Sequence, residues 1–186
     1  MDAEVSPTDT TGTLPGDLMI WVLIVSELLV FGAALGAFLA VRAGDVGGFL
    51  EAQDHLDRTA GALNTIVLLT SGLAAALALR AREAGLRGRA RLGLGVAALL
   101  GVVFLWVKAL EYSAKAAEGI GTDTHPFFTF YYLVTGFHAA HVVAGIVVLG
   151  LVAWRDSVAN IENATAFWHM VDLVWVLIFP VIYLLR

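Results

Sequence analysis

A chain of 186 residues that is 59% hydrophobic and 15% charged, with a mean hydropathy of +0.83, is too apolar for a soluble domain, which runs roughly half apolar and a quarter charged. The formal charge of −5 characterises it little, because the charges gather in loops and ends. Cysteine is absent, which removes disulfides, thiolate metal sites and cysteine nucleophiles together.

Residues 1–17 carry Asp2, Glu4, Asp9 and Asp17 and no Lys or Arg. A secretory leader needs a basic start before its apolar stretch, so this segment reads as a soluble tail. Five apolar stretches follow, at 18–41, 61–79, 92–112, 126–154 and 164–185. Each is long enough to cross about 30 Å of hydrocarbon as a helix. The first carries Glu27. The 42–60 connection then holds two Arg against four acids. The second carries Asn64 and is rich in Gly and Ala. The 80–91 connection, RAREAGLRGRAR, sets five Arg against one Glu and so belongs on the cytoplasmic side. The third stretch begins with Gly93, Gly95 and Gly101, which with Gly72, Ala75 and Ala76 of the second form a small-residue stripe suited to close helix contact. Near its far end Lys108 and Glu111, three apart, are expected to pair on one face and reach the interface. The fourth exceeds one span, so it should tilt or protrude, and it carries His138 and His141. The fifth carries His169 and Asp172. Trp21, Trp106, Trp154 and Tyr183 lie towards span ends, where amphipathic rings are favoured. The fold class is therefore an all-α integral membrane protein, a five-helix transmembrane bundle with its amino terminus in the cytoplasm and its carboxyl terminus outside.

Ionisable groups inside a span are costly and mark function by default. At ~1.5 Å per residue, Glu27 lies about 13 Å, Asp172 about 12 Å, His169 about 8 Å and His141 about 15 Å from the cytoplasmic ends of their spans. One inward-facing layer is expected, with Glu27 opposite the fourth and fifth spans. Three chemistries fit such a layer. A metal or haem site would use His and carboxylate ligands, although the two Glu-x-x-His repeats of a di-iron bundle do not occur here. A proton relay would run through Glu27, the histidines and Asp172. In a structural role, His138 and His141 would hydrogen-bond across helices and Asp172 would pair with His169.

Four ordered motifs carry a resemblance. AFWHMVDLVWVLIFPVIYLLR in the fifth span resembles the last helix of subunit III of haem-copper respiratory oxidases. FYYLVTGFHAAHVVAGIVVL in the fourth is similar to that family's Thr-Gly-Phe-His-x-x-His-Val helix, and LNTIVLLTSG in the second to its Leu-Asn-Thr segment. Ser26-Glu27 resembles its Ser-Glu pair. The long form of that family has seven helices, and this chain is similar to a five-helix short form. Its wording is closest to the accessory protein of nitric oxide reductase. The resemblance implies a subunit with no cofactors, neither haem nor copper, and no redox chemistry of its own. It would pack on a catalytic subunit I-type protein beside other respiratory complex subunits and membrane phospholipid, with no nucleic acid partner. It implies a bacterial-type plasma membrane, a role in supporting proton uptake and sustained turnover, Glu27 as the buried carboxylate, and His138, His141, His169 and Asp172 as polar packing partners. An assembly factor for the terminal reductase, or a small proton-conducting protein, are the alternatives.

Overall fold

A computed structural model describes residues 17–155 and 157–186. Of the expected tail at 1–17, all but Asp17 lies outside the described residues. Six helices follow in order: α1 Leu18–Arg42, α2 Val46–Asp54, α3 Arg58–Glu83, α4 Arg87–Ala117, α5 Pro126–Arg155 and α6 Val158–Phe179. A π-helical turn, Pro180–Leu184, continues α6, and no strand occurs among the described residues. All of these but the short α2 are long and apolar enough to cross a membrane, at 25, 26, 31, 30 and, with the π turn, 27 residues. The helices extend past the apolar stretches because polar ends prolong them. Arg80, Arg82, Arg87, Arg89 and Arg91 sit on helical ends, and only Ala84-Gly85-Leu86 forms the turn between α3 and α4, with Gly85 at φ 77°. The 42–60 connection contains α2, a helix that hydropathy does not announce. Asp45 caps it by accepting from the Gly48 amide at 3.1 Å, as Asp57 caps α3 from Ala60 at 2.9 Å.

The Asp17 amide donates to Asn163 Oδ1 at 3.0 Å, and Arg42 Nη2 donates to the Leu185 carbonyl at 3.3 Å. Both ends of α1 thus meet the matching ends of α6, and the two helices run parallel. One end of the bundle holds the arginine turn, the start of α1 and the α5–α6 turn; the other holds α2. Helix α6 packs against α1, α3 and α5, and α4 packs against α3 and α5. The inward side of α6 repeats at helical spacing through Ile161, Ala164, Trp168, Val171, Trp175 and Ile178, all buried. Leucines of α3 and α4, such as Leu69, Leu73, Leu92 and Leu99, face outward, as suits a surface solvated by hydrocarbon.

Trp168 joins four helices. A Cβ added at Gly101 of α4 would lie 2.7 Å from its ring, and one added at Gly145 of α5 2.5 Å, so both glycines make room for the indole. Trp168 Nε1 donates to Ser71 Oγ at 3.0 Å, and that hydroxyl donates to the Ala97 carbonyl at 2.7 Å, tying in α3. The small-residue stripe divides accordingly. At Gly93 an added Cβ would come within 2.8 Å of Ala78, and at Gly72 it would meet the Asp172 carboxylate. Gly95 has open space around it and is exposed, because one residue of rotation past Gly93 and Leu94 turns it off the α3 contact.

Candidate functional site

The polar side chains of the spans fall into separate groups rather than one layer. In the half of the bundle nearer α2, Lys108 Nζ donates to Glu111 Oε2 at 2.9 Å, to the Tyr131 hydroxyl at 3.1 Å and to the Tyr183 hydroxyl at 2.8 Å. Tyr131 and Tyr183 both donate on to Glu111 Oε1, at 2.9 and 2.8 Å. The three ammonium donors and both phenols are thereby used, and the network ties α4, α5 and the π turn together. The Lys108 and Glu111 side chains are 3% and 7% exposed, so the pair is interior and does not reach the interface as its spacing suggests. The reason is the ring of Tyr112, Tyr131, Trp175 and Tyr183, whose faces or edges surround the ammonium at 4.8 to 5.6 Å. Tyr183 is fully buried, not part of an interfacial belt, because Gly61 leaves space for its ring. Trp106 and Trp154 do face outward.

Beside this network lies His138, fully buried, with Phe104 edge-on at 5.5 Å and Trp175 tilted over it at 5.2 Å. Neither of its ring nitrogens has a hydrogen bond among the described residues, so it does not bond across helices. Asn64 Nδ2 donates to the Phe104 carbonyl at 3.2 Å, and its Oδ1 has no partner there. Sequence reasoning passed over two further anchors: Trp175 Nε1 donates to Thr65 Oγ1 at 2.9 Å, and Tyr112 bonds Thr135 at 2.5 Å.

Nearer the arginine turn, Glu27 of α1 meets His141 of α5, with Oε2 3.1 Å from Nε2. The approach lies off the angles of a hydrogen bond, so Oε2 has proximity without a directed partner. His141 Nδ1 instead contacts the Phe137 carbonyl of its own helix at 2.9 Å. His169 and Asp172 are not part of this group. They turn towards α3, with His169 Nδ1 3.8 Å from Asp172 Oδ2 and both beside Gly72. Asp172 Oδ1 is buried and unpartnered among the described residues. The cause is phase along α6: with Trp168, Val171 and Trp175 turned to the core, His169 and Asp172 fall on the flank that meets α3. No set of three or more His, Asp or Glu converges in metal-binding geometry among the described residues.

Outside the spans, two His–carboxylate pairs link α2 to the 118–125 connection. His125 Nε2 lies 3.1 Å from Asp45 Oδ2, and His55 Nδ1 lies 3.8 Å from Glu118 Oε2. The Gly48 amide, then the His125 ring, hold the Asp45 carboxyl below its ordinary value. Lys115, bonded to both oxygens of Glu118 at 2.9 and 2.8 Å, does the same there.

Comparison of the sequence with known proteins points to one family. Cytochrome c oxidase subunit 3 of Corynebacterium diphtheriae is 30% identical over 175 residues, covering 89% of this chain and 85% of that protein. Cytochrome bo(3) ubiquinol oxidase subunit 3 of Pseudomonas aeruginosa is 28% identical over 173 residues, covering 89% and 82%. Heme-copper oxidase subunit I+III of Aeropyrum pernix is 30% identical over 179 residues, which take in 89% of this chain but 22% of that longer protein. These names are those of oxidases, and the nitric oxide reductase wording of the motifs gains nothing from them. The family model for cytochrome c oxidase subunit III matches residues 15–186, nearly the whole chain, and the chain belongs to that family.

Proposed function

We infer that this chain is the subunit III component of a haem-copper oxidase, a multi-pass membrane subunit that lies against a catalytic subunit I-type protein. The observation that carries this is the match from residue 15 to residue 186, together with a bundle of five membrane-length helices. Its own residues support a structural and supporting role. The polar groups are spent on holding helices together at Lys108–Glu111 and Trp168–Ser71. The Glu27 carboxyl beside His141 is the group we assign to supporting sustained turnover of the partner. Five Arg at the α3–α4 turn favour the cytoplasm for that end, which supports an orientation with the start of α1 on the cytoplasmic side of a bacterial-type plasma membrane and the end of α6 on the outer side. Phospholipid covers outward leucines away from α6, such as Leu92 and Leu99 of α4.

Affinity-tagged chain purified from its native membrane in mild detergent tests the reading. A catalytic subunit recovered at one to one, with its haem spectrum, is the expected result. Recovery of the chain without it would overturn the assignment, and recovery only from immature complexes would make the chain an assembly factor.

A further inference from the structure

We propose that the flank formed by α3 and α6 around His169 is the surface through which this chain packs on a transmembrane helix of the oxidase's catalytic subunit. The inference rests on the subunit III reading above and adds to it the face and the contact.

His169 lies eleven residues past Val158, about 17 Å along a helix that with its π turn runs about 40 Å. It therefore sits near the middle of its span, yet its side chain is 45% exposed. Its Nδ1 edge is turned inward, towards Asp172 Oδ2 at 3.8 Å and towards Gly72, where an added Cβ would lie 3.3 Å from it. The opposite edge of the ring, with Nε2, consequently faces away from the bundle. Three exposed hydroxyls of the spans behave differently. Ser26 donates to the Leu23 carbonyl at 2.7 Å, Thr70 to Ile66 at 2.7 Å and Ser113 to Leu110 at 2.8 Å, each closing on its own helix. These hydroxyls are satisfied in hydrocarbon without outside help. The His169 ring has only the Asp172 carboxylate among the described residues, and that contact uses the other nitrogen.

Lipid tails offer no hydrogen bond, so a polar group at this depth faces protein or water. The ring opens on a groove of about 410 Å³ whose rims are Leu69 and Leu73 of α3 and Leu173 and Val176 of α6. Rims spaced by three and four residues accept the ridge of another helix. A lipid chain would satisfy the leucines and leave the imidazole unpaired, whereas a helix bearing a polar side chain satisfies both. The catalytic subunit is the occupant with independent support: in the Aeropyrum pernix relative, subunits I and III are named together as one chain.

The chain contains no cysteine, so Leu173→Cys places a single thiol in it on the rim of the groove. In membranes holding the complete oxidase, that thiol is labelled with a photoreactive maleimide and irradiated. The expected product joins this chain to the catalytic subunit. Leu99→Cys, on the outward side of α4, should give about ten-fold less of it. In parallel, His169→Leu should lower recovery of the catalytic subunit about ten-fold, the scale of one lost interfacial hydrogen bond to a charged or polar group. His169→Gln, which keeps hydrogen-bonding capacity, should retain recovery. A product joining two copies of this chain, or labelling of lipid alone, would overturn the proposal while leaving the subunit III reading intact. Failure of the unmodified chain to bring down any catalytic subunit would overturn both.

Discussion

Lys108, Glu111, Tyr131 and Tyr183 leave no donor unmatched, whereas Glu27, His138 and Asp172 each bury a polar atom with no hydrogen bond among the described residues. Both regions put ionisable groups inside membrane-length helices, at the same general cost. The first is closed upon itself by three helical elements and two phenols. The second is spread over α1, α5 and α6 and turned towards different flanks. The difference teaches that titratable residues in a span need not share a purpose. A saturated network holds helices in place, and a group left short of partners is available to something outside the bundle or to a proton.

The largest effect should come from breaking the saturated network. Glu111→Ala strands the Lys108 ammonium among aromatic rings, and removing one partner of a buried pair costs about 3–5 kcal/mol. Thermal unfolding in detergent should show the loss. Replacing both partners, Lys108→Met with Glu111→Leu, should recover most of it, because the stranded charge is then gone. If the double variant is as unstable as the single one, the phenols and not the ion pair hold these elements.

Next in size is the indole wedge. Gly145→Leu drives a side chain into Trp168, an overpacking expected to cost about 3 kcal/mol. Gly95→Leu, in open space, should stay within about 0.5 kcal/mol of the parent. Equal melting temperatures for the two would mean that α5 and α6 move apart without penalty.

In the unsaturated region Glu27→Gln keeps the shape of the side chain and its place beside His141. Assembly and melting should be unchanged, within about 0.5 kcal/mol, and any loss should fall on turnover sustained over many cycles. A complex that no longer assembles would move Glu27 to the structural side of the comparison.

The smallest effect belongs to the pairs outside the spans. The Asp45 and Glu118 carboxyls are held below their ordinary values in the folded chain. Their contribution is therefore complete above the unfolded values, about pH 4, and is lost as pH falls through the lower folded ones. Melting curves of the parent and of Asp45→Asn should differ at pH 6 and converge in stronger acid. A gap that widens on acidification would contradict the sign.

Much of this was legible before any geometry. Five apolar runs fix five helices, since only a helix satisfies its own backbone in lipid, and the motif order fixes the family. Glu27 and His141 could be placed at one depth from helix rise alone. Which neighbour each side chain faces was not legible, because hydropathy gives depth and period but no relative rotation of helices. His169 and Asp172 were therefore grouped with Glu27 although the phase of Trp168 and Trp175 turns them to α3. Tyr183 read as a belt residue because a phenol near a span end suits an interface as well as a buried pair. The repeat Trp168, Trp175, Ile182, at intervals of seven, and the run Tyr131, Thr135, His138 were the signals that could have marked the inward faces. The helix α2 is short and polar and left no such signal.

One paired measurement tests the division most directly: melting of the detergent-purified chain and recovery of the catalytic subunit, each for Glu111→Ala and His169→Leu. The account predicts that Glu111→Ala lowers the melting temperature of the chain by much more than His169→Leu does, and that His169→Leu cuts recovery of the catalytic subunit, which Glu111→Ala leaves in proportion to the folded chain. A His169→Leu chain that melts as early as Glu111→Ala, or that still recovers the catalytic subunit in full, would contradict it.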